Sequence, residues 1–223
     1  MTTTIPLQPY PGDPPLEDAP LTKEQVQFLS AYINPIYLVP KTLKALSERF
    51  VNESSLEMHA FLTPTLATAL CEGLRQRDLA DGLGESRTKL VPSHEDGLDD
   101  QWKVQGPPHK SRYCVLGPAT SDPPSQTCDK IVRELQDVLF PSSAFRAWLT
   151  LVSSLVPMRY SVEARRFRPG LDYTLAMSEE KESRLDAVLG LTPTAEKQDT
   201  SEWENGDWGG WEVSDDVVRP SFN

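Results

Sequence analysis

The chain has 223 residues, 38% of them hydrophobic, with 20 prolines and a formal net charge of −11. That acidic balance argues against nucleic acid as a direct partner, because phosphate recognition needs a basic surface, and no apolar run approaches the roughly 18 residues of a membrane span. Cys71, Cys114 and Cys128 are odd in number, far apart and without a CxxC pair, which points to reduced thiols inside the cell, in nucleus or cytoplasm, and to no zinc site.

Residues 1–20 carry six prolines and no hydrophobic periodicity, so a disordered, polyproline-like leader is expected. Thr22 with Gln25 makes a capping box, and Val26, Leu29 and Ile33 follow at helical spacing until Asn34-Pro35 ends the run. A second helix starts near Pro40 with Leu43, Leu46 and Phe50 on one stripe. Residues 55–62 alternate and predict a short strand with Leu56, Met58 and Leu62 on one face. Thr63-Pro64 opens a third helix with Leu66, Leu70 and Leu74, and residues 78–100 are rich in glycine and acids, as a loop would be.

Two short strands, WKVQ and RYCVL, are expected around Gly106-Pro107-Pro108-His109. Ile131, Leu135 and Val138 mark a helix that Phe140-Pro141-Ser142 breaks, and Phe145, Trp148, Leu149 and Val152 form the next helical stripe. Residues 178–184 read as a charged hinge and residues 185–191 as a strand. From Glu196 to Asp216 eight acids face one base, Lys197, which suits a solvated acidic loop or an acidic docking segment. Within that span EWENGDWGGWEV, with Trp203, Trp208 and Trp211, suits a strand or hairpin passing close to another backbone.

The most informative stretch is Ser161 to Met177. It alternates, breaks at Pro169-Gly170 and resumes with Tyr173, Thr174 and Leu175, as a strand interrupted by a bulge would. Strand parity puts Arg166 and Arg168 on one face with Val162 and Ala164, and Arg165 on the other with Glu163 and Phe167; the bulge then switches faces for Tyr173 and Leu175. Three arginines so close are costly in a core unless paired. The expectation is that one of Arg165, Arg166 and Arg168 pairs internally, with Asp172 or Glu212, while the others stay exposed to bind a partner.

RRFRPGLDYTLA (165–176) and GPPHKSRY (106–113), with weaker matching at INPIYL and LSERFVNESSLEMHAFL, resemble the C-terminal, degradation domain of the prolyl 3,4-dihydroxylase family of Fe(II)/2-oxoglutarate-dependent oxygenases. The resemblance implies an α+β fold: an incomplete double-stranded β-helix, the second and degenerate jelly roll of the family, spanning residues 21–213 with supporting N-terminal and inserted helices. Gly209-Gly210-Trp211 matches a jelly-roll strand step of related oxygenases. The relatives continue through further strands, whereas residues 214–223 show no strand pattern and are expected to be an unstructured tail. A chain that is one part of a longer protein is expected. The implied role is a non-catalytic interaction or regulatory domain, contacting a protein partner or the catalytic domain, with an uncovered sheet edge that invites self-association. The relatives modify a proline of a small-subunit ribosomal protein and are linked to translation termination and to oxygen-dependent control of transcription-factor stability. Fe(II), 2-oxoglutarate and ascorbate belong to the full-length family; none is expected to bind this chain.

An active site of that class needs two His and a carboxylate on one face of the metal. His94-Glu95-Asp96 spells HxD but sits in the glycine- and acid-rich loop, and His109 is too near in sequence to come from the opposite sheet edge. Near the end of the key strand, where the catalytic copy carries its triple, stand Ala176, Met177, Ser178 and Glu179, with no imidazole. No catalytic, cofactor-binding or metal residue is therefore assigned. His59 is expected to be half-buried on its strand and His109 to be a turn residue. The alternative is that the chain is itself a dioxygenase using His94, Asp96 and a distal His.

Overall fold

The computed structural model describes residues 6–84, 91–118, 127–175 and 184–191. They form an α+β arrangement of helices against antiparallel strands, with no closed barrel. The element order is β1 (Gln8–Pro9), α1 (Lys23–Leu29), a 3-10 turn (Pro35–Leu38), α2 (Pro40–Glu53), α3 (Pro64–Ala80), β2 (Trp102–Gln105), β3 (Ser111–Leu116), α4 (Thr127–Glu134), a π-turn (Leu135–Leu139), α5 (Ser143–Ser153), β4 (Arg159–Tyr160), β5 (Arg165–Arg166) and β6 (Tyr173–Thr174). None of these helices is long and apolar enough to cross a membrane.

The helix boundaries follow from local chemistry. Thr22 accepts from the Gln25 N–H while the Gln25 side chain accepts from the Thr22 N–H, closing the capping box that starts α1. Pro40 and Pro64 occupy first-turn positions where a missing N–H costs nothing, and Ser142 caps α5. Helices α1 and α2 pack on α5, and α3 packs on α4. The core they share with the sheet is centred on Trp148, whose ring stacks on Phe145 and meets Phe61 at a tilt, and whose Nε1–H donates to the Tyr37 carbonyl. Trp102, Cys114 and Leu116 carry the sheet's inner face into the same core.

The sheet explains how the key stretch is held. β2 and β3 form a hairpin, and β5 pairs antiparallel with β3 through Cys114–Arg166 and Val115–Arg165. β6 pairs with β3 farther along, through Arg112–Tyr173 and Ser111–Thr174. Leu116 donates to Ala164 and Lys110 accepts from Leu175, so β5 and β6 lie on one edge of β3. They are one strand interrupted at residues 167–172, with Gly170 at φ 77° turning the chain. An uninterrupted strand would set residue 168 against Arg112; residue 173 stands there instead, an odd offset that switches faces as the sequence predicts.

Four sequence expectations give way. The leader is not without structure over residues 6–20: β1 pairs with β4, and Tyr10 packs on Tyr160 at a centroid distance of 4.7 Å. Proline is compatible with an edge strand, which explains why a proline-rich segment can be placed there. The strand at 55–62 shrinks to a single bridge, Leu62 with Ile33, because Ala60 takes a left-handed φ of 49° that no ladder accepts. His59 is accordingly exposed, beside Glu57, and not half-buried on a strand. Residues 185–191 have no ladder partner among the described residues and are held instead by Leu189 and Leu191 against the core. The segment 202–213 and Glu212 lie outside the described residues.

Candidate functional site: an arginine–aspartate network

The arginine stretch ends in a buried network of ion pairs that ties the strand to α3, α4 and the loop at 93–101. Arg168 and Asp172 are both buried. Asp172 accepts from the Arg168 backbone N–H and from its Nε, each at 2.9 Å, and from Nη2 at 3.0 Å. The pair closes the excursion between β5 and β6, and Arg112 approaches the same carboxylate at 3.4 Å. The hydrogen bonds to Asp172 raise the pKa of the Arg168 guanidinium above its ordinary value, against the effect of burial.

Arg166 reaches the other way. Its Nη2 meets Asp78 and its Nη1 meets Asp81, both at 2.6 Å. Asp81 also accepts from Arg77 Nε at 2.7 Å, so one carboxylate joins two guanidinium groups. Arg77 is buried and spends its remaining nitrogens on Asp99 at 2.5 Å and Asp129 at 2.7 Å. Burial alone would lower its pKa, but hydrogen bonds to Asp81 and Asp99 outweigh that and raise it. Asp129 takes the Trp102 indole N–H on its other oxygen at 2.9 Å. Asp99 accepts from the Gln101 and Trp102 N–H groups; burial opposes its ionisation, but the Trp102 N–H and Arg77 win and hold its carboxyl below the ordinary value.

Arg165 points to the opposite face, as parity requires. It lies 4.7 Å over the Tyr113 ring, which stacks on Phe167, and pairs with Glu163 at 2.5 Å. It is 43% exposed. The three arginines singled out in the sequence thus have different surroundings. The internal pair with Asp172 is present, at Arg168. Arg166, expected to stay exposed, is also internally paired, because α3 brings Asp78 and Asp81 across the sheet's inner face. Arg77, Asp99 and Asp129 do not stand out in the sequence. The Leu66-Leu70-Leu74 stripe of α3, however, runs directly onto Arg77, and a charged residue at the end of an apolar stripe is the signal that would find it.

The HxD triple is used by its backbone. The carbonyls of His94 and Asp96 accept from Arg168 Nη1 at 2.6 Å and 3.1 Å. His94 Nδ1 accepts from Arg112 at 2.5 Å, and the Asp96 carboxylate accepts from the Ser93 N–H at 2.7 Å. Among the described residues no three His, Cys, Asp or Glu side chains converge as a metal ion requires. These donors do not fit the iron site of an oxoglutarate-dependent oxygenase. The Cys114 thiol, beside Asp172, is pushed up to about 11, by burial first, and is therefore protonated and a poor nucleophile at neutral pH.

The conspicuous charges of this α+β scaffold thus neutralise one another inside it. The family model of the oxoglutarate and iron-dependent oxygenase degradation C-terminal domain matches residues 24–215, and the chain belongs to that family. It is 35% identical over 190 residues to prolyl 3,4-dihydroxylase OGFOD1 of Ostreococcus tauri, a match covering 83% of this chain. The aligned region spans only 35% of that relative's length.

Proposed function

We propose that the chain acts as a non-catalytic interaction domain, a second and incomplete jelly-roll copy, in an iron- and oxoglutarate-dependent prolyl hydroxylase whose catalytic copy is a separate unit and whose target is a ribosomal protein. The observation that carries the non-catalytic role is the use made of His94-Glu95-Asp96. Its two outer carbonyls cap Arg168, its imidazole faces a guanidinium and its carboxylate closes a turn, so the triple is spent on holding the strand. The relative's printed activity, prolyl dihydroxylation, supports the class of protein, and the motif resemblance supports the ribosomal target.

Calorimetric titration of the full chain with Mn(II), standing in for Fe(II), tests the role. No binding is expected at micromolar metal. Tight binding of one ion per chain, abolished in His94→Ala, would overturn the non-catalytic reading.

A further inference from the structure

Among the buried arginines, Arg146 stands apart. Arg77 and Arg168 each hold carboxylates, whereas Arg146, 2% exposed, has no ion-pair partner among the described residues. Its Nε donates to the Pro157 carbonyl at 2.7 Å, but Nη1 reaches the Gly12 carbonyl and Nη2 the Met158 sulfur only at 3.5 Å each. The Tyr10 ring, 5.3 Å from the guanidinium carbon, completes its cover. Two of these neighbours, Tyr10 and Gly12, belong to the leader. The leader itself is lightly attached: β1 is two residues long, Pro9 has no N–H to give, and Tyr10 donates to the Met158 carbonyl at 3.4 Å.

We propose that the face of α5 and β4 beneath residues 8–12 is a docking site for an extended, carboxylate-bearing strand of a partner chain, which the leader fills in cis. An incoming strand would add to β4 at Arg159–Tyr160, where β1 now lies. Its carboxylate would take the place of the Gly12 carbonyl and engage Nη1 and Nη2 together, the planar two-point contact for which a guanidinium is shaped. Displacement carries Asp13 away with the leader and leaves Arg146 and the exposed Arg159 facing the ligand. Leu155 and Met158, both largely exposed, offer apolar footing beside it. A buried cation whose two terminal nitrogens have only long, neutral contacts is costly, so the site favours a ligand that supplies the missing charge. This gives the interaction role proposed above a partner chemistry and rests on that reading.

The test uses the full chain and a fluorescein-labelled peptide of alternating valine and glutamate, with a valine–glutamine peptide as control, followed by anisotropy. Tyr10→Ser loosens the leader and should tighten binding of the glutamate peptide relative to wild type. That variant should prefer glutamate over glutamine by about tenfold or more, the worth of a charge-assisted hydrogen bond. Arg146→Met should abolish the preference and Arg146→Lys should restore part of it, with thermal melts establishing that each variant is folded. Addition of the glutamate peptide should also speed amide exchange in residues 6–13. Equal binding of both peptides, no tightening in Tyr10→Ser, or a preference that survives in Arg146→Met would overturn the proposal. The Mn(II) titration is independent of every one of these outcomes, so the non-catalytic reading can stand or fall separately.

Discussion

Asp81 shows what single residues contribute here. One carboxylate joins Arg77 of α3 to Arg166 of β5, so losing it would leave both cations under-compensated inside the fold. Asp99 extends the same network to the loop before β2, and its titration gives a pH signature. Its folded-state pKa lies below the ordinary value, so its stabilisation is complete above about pH 4 and is lost as the pH falls through the lowered value. Urea midpoints recorded from pH 6 downward should therefore drop on the acid side, and Asp99→Asn should lessen that drop. An unchanged acid slope in the variant would mean that Asp99 contributes nothing to it. The carboxylate is 37% exposed, so solvent screening keeps the effect modest.

At the scale of elements, three junctions do the positioning. Helices α3 and α4 approach so closely at Gly73 that an added Cβ would stand 2.8 Å from the Cys128 Cβ. Gly73→Val should destabilise the chain by about 1–3 kcal/mol through overpacking, read from the urea midpoint; a neutral or stabilising effect would show that the helices separate freely. The π-turn after α4 closes with Phe140 donating to Leu135, and it turns Leu135 and Leu139 inward while Val138 stands 45% exposed. That is why a stripe read at ordinary helical spacing takes Leu135 correctly and Val138 wrongly: the extra residue in the turn shifts the register. The interruption between β5 and β6 was legible, because Pro169-Gly170 is a break no uninterrupted strand tolerates and parity then fixes the faces. Its depth was not legible. An excursion of residues 167–172 is stabilised by Arg168–Asp172 and by carbonyls of a loop some seventy residues earlier, and no local pattern announces such a partner. The strand expected at 55–62 failed for the opposite reason, since its alternation is real but Ala60 bends the backbone out of any ladder.

Over the whole molecule, the charge that dominates the composition is not the charge that organises the fold. The net −11 describes the chain as a polyelectrolyte. Inside, Arg77, Arg166 and Arg168 are matched to Asp78, Asp81, Asp99, Asp129 and Asp172, and the sheet is fastened to the helices through them. The family's conspicuous RRFRPGLD motif is, on this account, mainly a framework element that places the strand and the 93–97 loop, with Arg165 alone of its arginines presented outward. The sequence pointed to one internal pair and two free arginines; the reverse ratio emerges because the acids that receive Arg166 come from α3, far away in the chain.

Urea unfolding of Arg165→Ala, Arg166→Ala and Arg168→Ala tests that account most directly. Breaking a buried pair costs about 3–5 kcal/mol, whereas losing an exposed arginine costs under about 1 kcal/mol. Two large losses, at Arg166 and Arg168, and one small loss at Arg165 are predicted, whereas three small losses of similar size would contradict the internal network and return the whole stretch to the surface.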